Sequence, residues 1–215
     1  MIYFAFIHPN TGVVQEQFAQ SLAAATGYTG NERLYGGLVS ATSPNVTESR
    51  NRTIELFLES DAQWYLNIDT DITFAPDAPV KLRQAAIDAD AKMAAMICPI
   101  IHPGGDIYSH AFMHNEKIGT YMTVRDFDTE RVWVDACGMG CNLIHRDIYE
   151  ALEPPWHRYW QDPPGIDGEL SHDIGFHHYA KLVTGEPVLY CTDIEAQTWE
   201  SFPIGKAAIK AANPI

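Results

Sequence analysis

Asp69 and Asp71 stand one residue apart at the end of the apolar run Trp64–Ile68. Two carboxylates so close repel each other unless a cation lies between them. An extended chain through Thr70 would send both to the same side. Hard oxygen ligands in that position suit Mn²⁺ or Mg²⁺, ions that complete their shell with substrate phosphates and water. The chemistry this suggests is that of an enzyme handling a nucleotide diphosphate through a divalent metal. Asp-x-Asp also occurs in ordinary turns. Its place at the end of a buried strand, where open α/β sheets bind ligands, favours the metal reading.

The surrounding pattern must position those acids. Ile2–Ile7, Leu34–Ser40, Trp64–Ile68 and Met93–Cys98 read as strands. Between them, Val14–Ala25 and Asn45–Ser60 carry apolar residues at helical spacing, and Asp77 with Pro79 opens a third helix. This alternation predicts an α/β fold with a mostly parallel sheet flanked by helices. Residues 100–135 carry short β-like runs, Ile107–Met113, Thr120–Val124 and Arg131–Val134, which predict a small antiparallel excursion. A short strand at Cys141–His145 and a helical turn at Arg146–Leu152 follow. A proline- and aromatic-rich loop spans 153–168, of the kind that often forms a lid. Ser171 caps a late helix closed by Gly185, and Val188–Cys191 is a last strand.

With 215 residues the chain suits one domain: a nucleotide-binding half at 1–99, an acceptor and catalytic half at 100–205, and a tail at 206–215. Its net charge of −14 argues against polymeric nucleic acid as a partner and makes a local metal useful for binding phosphates. No stretch reaches the length of a membrane span. Four sparse cysteines and the absence of a signal-like N-terminus point to the cytoplasm. Cys137, Cys141 and His145 lack the second ligand pair of a zinc site and read as core.

An ordered set of segments resembles the GT-A glycosyltransferases, above all short single-domain members from bacteria and phages. The set comprises Phe6-Ile-His-Pro9, Glu48-Ser-Arg-Asn51, Trp64 to Asp71, Phe74-Ala-Pro-Asp77, Gly138 to Arg146, Pro155-Trp156 and Ser171 to Phe176. The resemblance implies a Rossmann-like GT-A fold and transfer of a sugar from a UDP- or GDP-type donor to an acceptor of unknown identity, in a bacterial or phage-infected cell. It implies that His8, Pro9, Arg50, Asn51, Asp69, Gly138, Gly140 and Trp156 bind the nucleotide sugar. Asp71 would hold the metal directly, with Asp69 beside it. Glu200 stands where the family usually has a third ligand, a histidine. Asp173 resembles the base of inverting members, and His172, in place of the usual Glu, is a second candidate. A nucleotidyltransferase is an alternative, although no basic, Gly-rich loop follows the first strand. A nucleotide-sugar binding module that has kept the fold and lost its chemistry is another.

Overall fold

The computed structural model describes residues 1–8, 14–101, 107–199 and 203–204. The first half alternates as expected: β1 (Ile2–His8), α1 (Glu16–Asn31), β2 (Tyr35–Thr42), α2 (Val46–Leu58), β3 (Trp64–Asp69), β4 (Ile72–Phe74), α3 (Ala78–Asp88) and β5 (Met93–Ile97). Asn45 caps α2 by accepting from the Thr47 N–H. Asp77 makes no such cap bond at α3; its carboxylate pairs with Lys81 at 2.8 Å. Next come β6 (Pro99–Ile101), β7 (Ile107–Ser109), β8 (Ala111–Asn115), β9 (Thr120–Thr123), β10 (Arg131–Val134) and β11 (Ala136–Cys137). β6 with β7, and β8 with β9 and β11, form small antiparallel sheets. Arg131–Val134, expected in the excursion, instead joins the edge of the main sheet beside the last long strand. Then come β12 (Cys141–His145), α4 (Arg146–Ala151), β13 (Trp160–Gln161), β14 (Glu169–Leu170), α5 (His172–Thr184), β15 (Val188–Trp199) and β16 (Pro203–Ile204).

The main sheet runs β2-β1-β3-β12-β5-β15-β10. β1 is parallel to β2 and β3, and β15 to β5. β12 lies antiparallel between β3 and β5. Its direction follows from the path: the chain leaves the carboxyl end of β5 and re-enters the sheet at that same end. Cys141 therefore pairs with Ile68, and the Asp69 N–H donates to the Gly140 carbonyl at 2.9 Å.

The last strand is longer than expected. Beyond Cys191 its register against β5 shifts, and Ala196–Thr198 pair antiparallel with β4. From Thr192 to Trp199 buried and exposed residues alternate, the mark of a strand with one covered face.

Apolar side chains fill both faces of the sheet. Phe18 and Leu22 of α1 and Leu82 of α3 meet Leu66 and Ile68 on one face. Phe57 of α2, Tyr149 of α4 and Phe176 of α5 meet Tyr65 on the other. A strand covered on both faces reads as a continuous apolar run, which is why β3 is so legible. The Tyr65 hydroxyl, carried into this core, is satisfied by Thr53 Oγ1 at 2.7 Å. Among the described residues no helix is long and apolar enough to cross a membrane.

Candidate active site

β3 ends at Asp69, and Thr70 and Asp71 form a turn into β4. The extended geometry expected through Thr70 is therefore not the one adopted. The turn is tied down instead: the Asp71 carbonyl accepts from the Trp199 N–H at 2.7 Å, and the Trp199 indole donates to Thr73 Oγ1 at 2.8 Å. Both acids line a cleft of ≈460 Å³ with His8, Ser49, Arg50 and Thr70. The cleft opens at the carboxyl ends of β1 and β3, where α/β sheets bind their ligands.

Arg50 connects this cleft to the start of α5. It is buried in α2, its Nη2 3.0 Å from Asp69 Oδ1 and its Nη1 3.5 Å from Asp173 Oδ1. A buried guanidinium requires such partners. Burial alone would lower its pKa, but the two carboxylates hold it above its ordinary value. Asp69 is pushed up to about 6, first by burial and then by the carboxylates of Asp173 and Asp71, with Arg50 pulling the other way. Burial would also raise Asp173, yet Arg50 and His172 outweigh it and hold Asp173 well below the usual carboxylate range. The cleft thus carries more negative charge than one arginine compensates.

His172 Nδ1 lies 2.6 Å from Asp173 Oδ1. Asp173 Oδ2 accepts from the Met139 N–H at 3.4 Å, which brings the Gly138–Gly140 segment to the same place. The Met139 carbonyl in turn accepts from Asn67 Nδ2. Both glycines are closely packed. A Cβ on Gly138 would fall 1.9 Å from His110 Nδ1, and one on Gly140 would fall 3.3 Å from Cys98 Sγ.

Two expected sugar-nucleotide contacts are placed elsewhere. Asn51 bonds the backbone of His157 through both ends of its amide, each at 2.9 Å, and so fastens the proline-rich loop to α2. Trp156 is buried, its indole N–H donating to the Tyr149 carbonyl at 2.9 Å, because an aromatic in a proline-rich loop can pin that loop to the core. Pro9 and Glu200 lie outside the described residues. All four cysteines are buried and unbridged. Among the described residues no group of three or more His, Cys, Asp or Glu is placed to hold a metal by itself. The role of Arg50 between the two acids was not visible in the sequence.

No known family profile matches the chain, and no curated protein resembles it in sequence. Solved structures do share its fold. A197 from STIV matches with a TM-score of 0.57 at 16% identity, over 94% of this chain and 87% of its own. GalNAc-T7, solved with UDP, GalNAc and Mn²⁺, matches with a TM-score of 0.61 at 10% identity, over 94% of this chain. The fold is GT-A. The chain spans 45% of the length of that GalNAc-T7 chain. Within the GT-A frame, the acidic turn stands at the end of β3 and the His172–Asp173 pair opens α5, with Arg50 between them.

Proposed function

We propose that the chain is a metal-dependent glycosyltransferase that moves a sugar from a nucleotide-diphosphate donor to an acceptor hydroxyl with inversion. The observation that carries this reading is the acidic turn on the floor of a cleft in a GT-A fold. The GalNAc-T7 neighbour, holding UDP and Mn²⁺, supports a nucleotide-sugar donor and a divalent ion. This chain's own chemistry fits such an ion: two carboxylates at one turn, with Asp69 destabilised as an anion by burial and by its acidic neighbours. Asp71 would hold the ion directly, Asp69 would stand beside it under the grip of Arg50, and Glu200 is a candidate third ligand. When bound, the ion would offset the charge that grows on the departing diphosphate.

The other roles fall to the protein. His8 at the tip of β1 and Ser49 on α2 line the cleft and would serve the nucleotide. The acceptor's proton passes to the His172–Asp173 pair. Residues 1–99 serve mainly the donor and the later segments the acceptor. The unbridged cysteines support a cytoplasmic setting.

The test is thermal stabilisation by UDP-, GDP- and TDP-sugars with Mn²⁺ or Mg²⁺. One nucleotide class should raise the melting temperature of the wild type, and Asp71→Ala should abolish that rise. Equal shifts in wild type and variant would remove the metal assignment. Binding without any slow nucleotide release would favour a sugar-nucleotide binding module instead.

A further inference from the structure

Asp173 is surrounded by groups that favour its anion. His172 Nδ1 lies 2.6 Å and Arg50 Nη1 3.5 Å from its Oδ1, and the Met139 N–H points at its Oδ2. A carboxylate held this firmly as an anion is a weak proton acceptor. Its neighbour is arranged differently. With Nδ1 turned to Asp173, the imidazole of His172 has Nε2 as its other basic nitrogen, and 12% of the side chain is accessible. The 2.6 Å approach of a carboxylate at Nδ1 favours a proton on that nitrogen and leaves Nε2 as the atom that can accept one.

The other groups around the ring leave this role open. His157, from the proline-rich loop, has its ring 6.2 Å away, and its Nδ1 lies 3.3 Å from the His172 carbonyl. Burial, with Arg50 adding to it, keeps the pKa of His157 well below that of a free imidazole, so it places no charge beside His172 near neutral pH. Tyr159 meets the ring edge-on at 5.4 Å. Arg50 is the nearest cation shown, and Asp173 stands between it and the ring.

We infer that His172 Nε2 is the general base of the transfer and that Asp173 is its positioning partner. The inference rests on the glycosyltransferase reading. In the step, the acceptor O–H bond breaks and its proton goes to Nε2. The oxygen's electron pair forms the new bond to the sugar's anomeric carbon. The bond from that carbon to the diphosphate oxygen breaks, and its pair leaves with the nucleoside diphosphate. The imidazolium then returns its proton to solvent.

The full chain with Mn²⁺ is first tested for binding to UDP-GalNAc, UDP-glucose and GDP-mannose by thermal shift. Nucleotide release with water as acceptor is then followed for the donor that binds. His172→Gln should bind that donor as the wild type does and release nucleotide about 100-fold more slowly or worse. His172→Ala should regain about tenfold when imidazole is added to the buffer, a rescue that a purely structural role would not show. Asp173→Asn should lower kcat with little change in KM, the signature of a group acting on the chemical step. Release by His172→Gln within roughly threefold of wild type would overturn the assignment. So would a folded His172→Ala that imidazole does not rescue, or an inactive Asp173→Asn beside an active His172→Gln, which would make the carboxylate the base. These His172→Gln, His172→Ala and Asp173→Asn outcomes would overturn the base assignment alone, whereas a wild type that binds donor without releasing nucleotide, or binds no donor, would overturn the glycosyltransferase reading with it.

Discussion

Arg50 is held by two acids that the sequence keeps far apart, Asp69 on β3 and Asp173 on α5. The acidic pair itself could be read from residue types alone. The arginine's position between the two acids could not, because nothing local to Glu48–Asn51 states which strand and which helix its side chain will meet. The same limit applies to Asn51 and Trp156, whose types suit ligand contact and loop fastening equally well. At this scale the prediction concerns charge. Removing the guanidinium with Arg50→Met leaves two carboxylates without their shared cation, and breaking a buried pair costs roughly 3–5 kcal/mol. Because 32% of the Asp69 side chain is accessible, the lower figure applies, about 3 kcal/mol. In a chain of this size that lowers the melting temperature by roughly 6–12 °C. Arg50→Lys should recover only part of the loss, since one ammonium cannot bridge two carboxylates as a planar fork does. A melting temperature unchanged in Arg50→Met would show that the pairing contributes little.

Elements were legible where period and composition agreed. Trp64, Tyr65, Leu66 and Ile68 are apolar because both faces of β3 are covered, and Asn45 and Ser171 cap their helices as their types suggest. The extension of β15 was also present in the sequence, as the alternation Asp193, Ile194, Glu195, Ala196, Gln197, Thr198. As a signal it is weak, because only Ile194 and Ala196 are apolar there and its partner, β4, is three residues long. The direction of β12 was not readable, since a strand carries the same apolar pattern whichever way it runs. One junction between elements supports a quantitative expectation. The guanidinium of Arg146, at the start of α4, donates to the carbonyls of Phe57, Leu58, Ser60 and Ala62 and so closes the end of α2. Its carbon lies 4.8 Å above the Phe57 ring centroid. Helix ends leave carbonyls without intrahelical partners, and a cation there also opposes the helix dipole. Arg146→Met should therefore cost about 3 kcal/mol in urea unfolding, with amides near the end of α2 exchanging faster than those of β3. Exchange rates unchanged at residues 57–62 would mean that the helix end holds without it.

At the scale of the whole molecule, acid should loosen the fold. His177 is fully buried, its Nδ1 3.0 Å from the Asp173 carbonyl and its Nε2 near Asn142 Nδ2 and Cys137 Sγ. Burial lowers its pKa to about 4. The unfolded chain takes up this proton near pH 6.5, and the folded chain does so only near pH 4. Across that window the unfolded state binds more protons, so stability falls as pH falls, by about 3 kcal/mol from this group. His157 acts in the same direction, its pKa also lowered chiefly by burial. Asp69 opposes them. Its folded pKa is raised to about 6, so it favours the folded state as pH falls from there towards 4. That opposition is muted because part of its side chain stands in water. The net expectation is a loss of roughly 2–3 kcal/mol between pH 7 and pH 4.5, measured as a falling urea midpoint at constant slope. His177→Gln should remove about half of that dependence while lowering stability at pH 7. A wild-type midpoint flat from pH 7 to 4.5 would mean that both buried imidazoles accept protons without disturbing the core, and the packing of α5 on β11 and β12 would need another account.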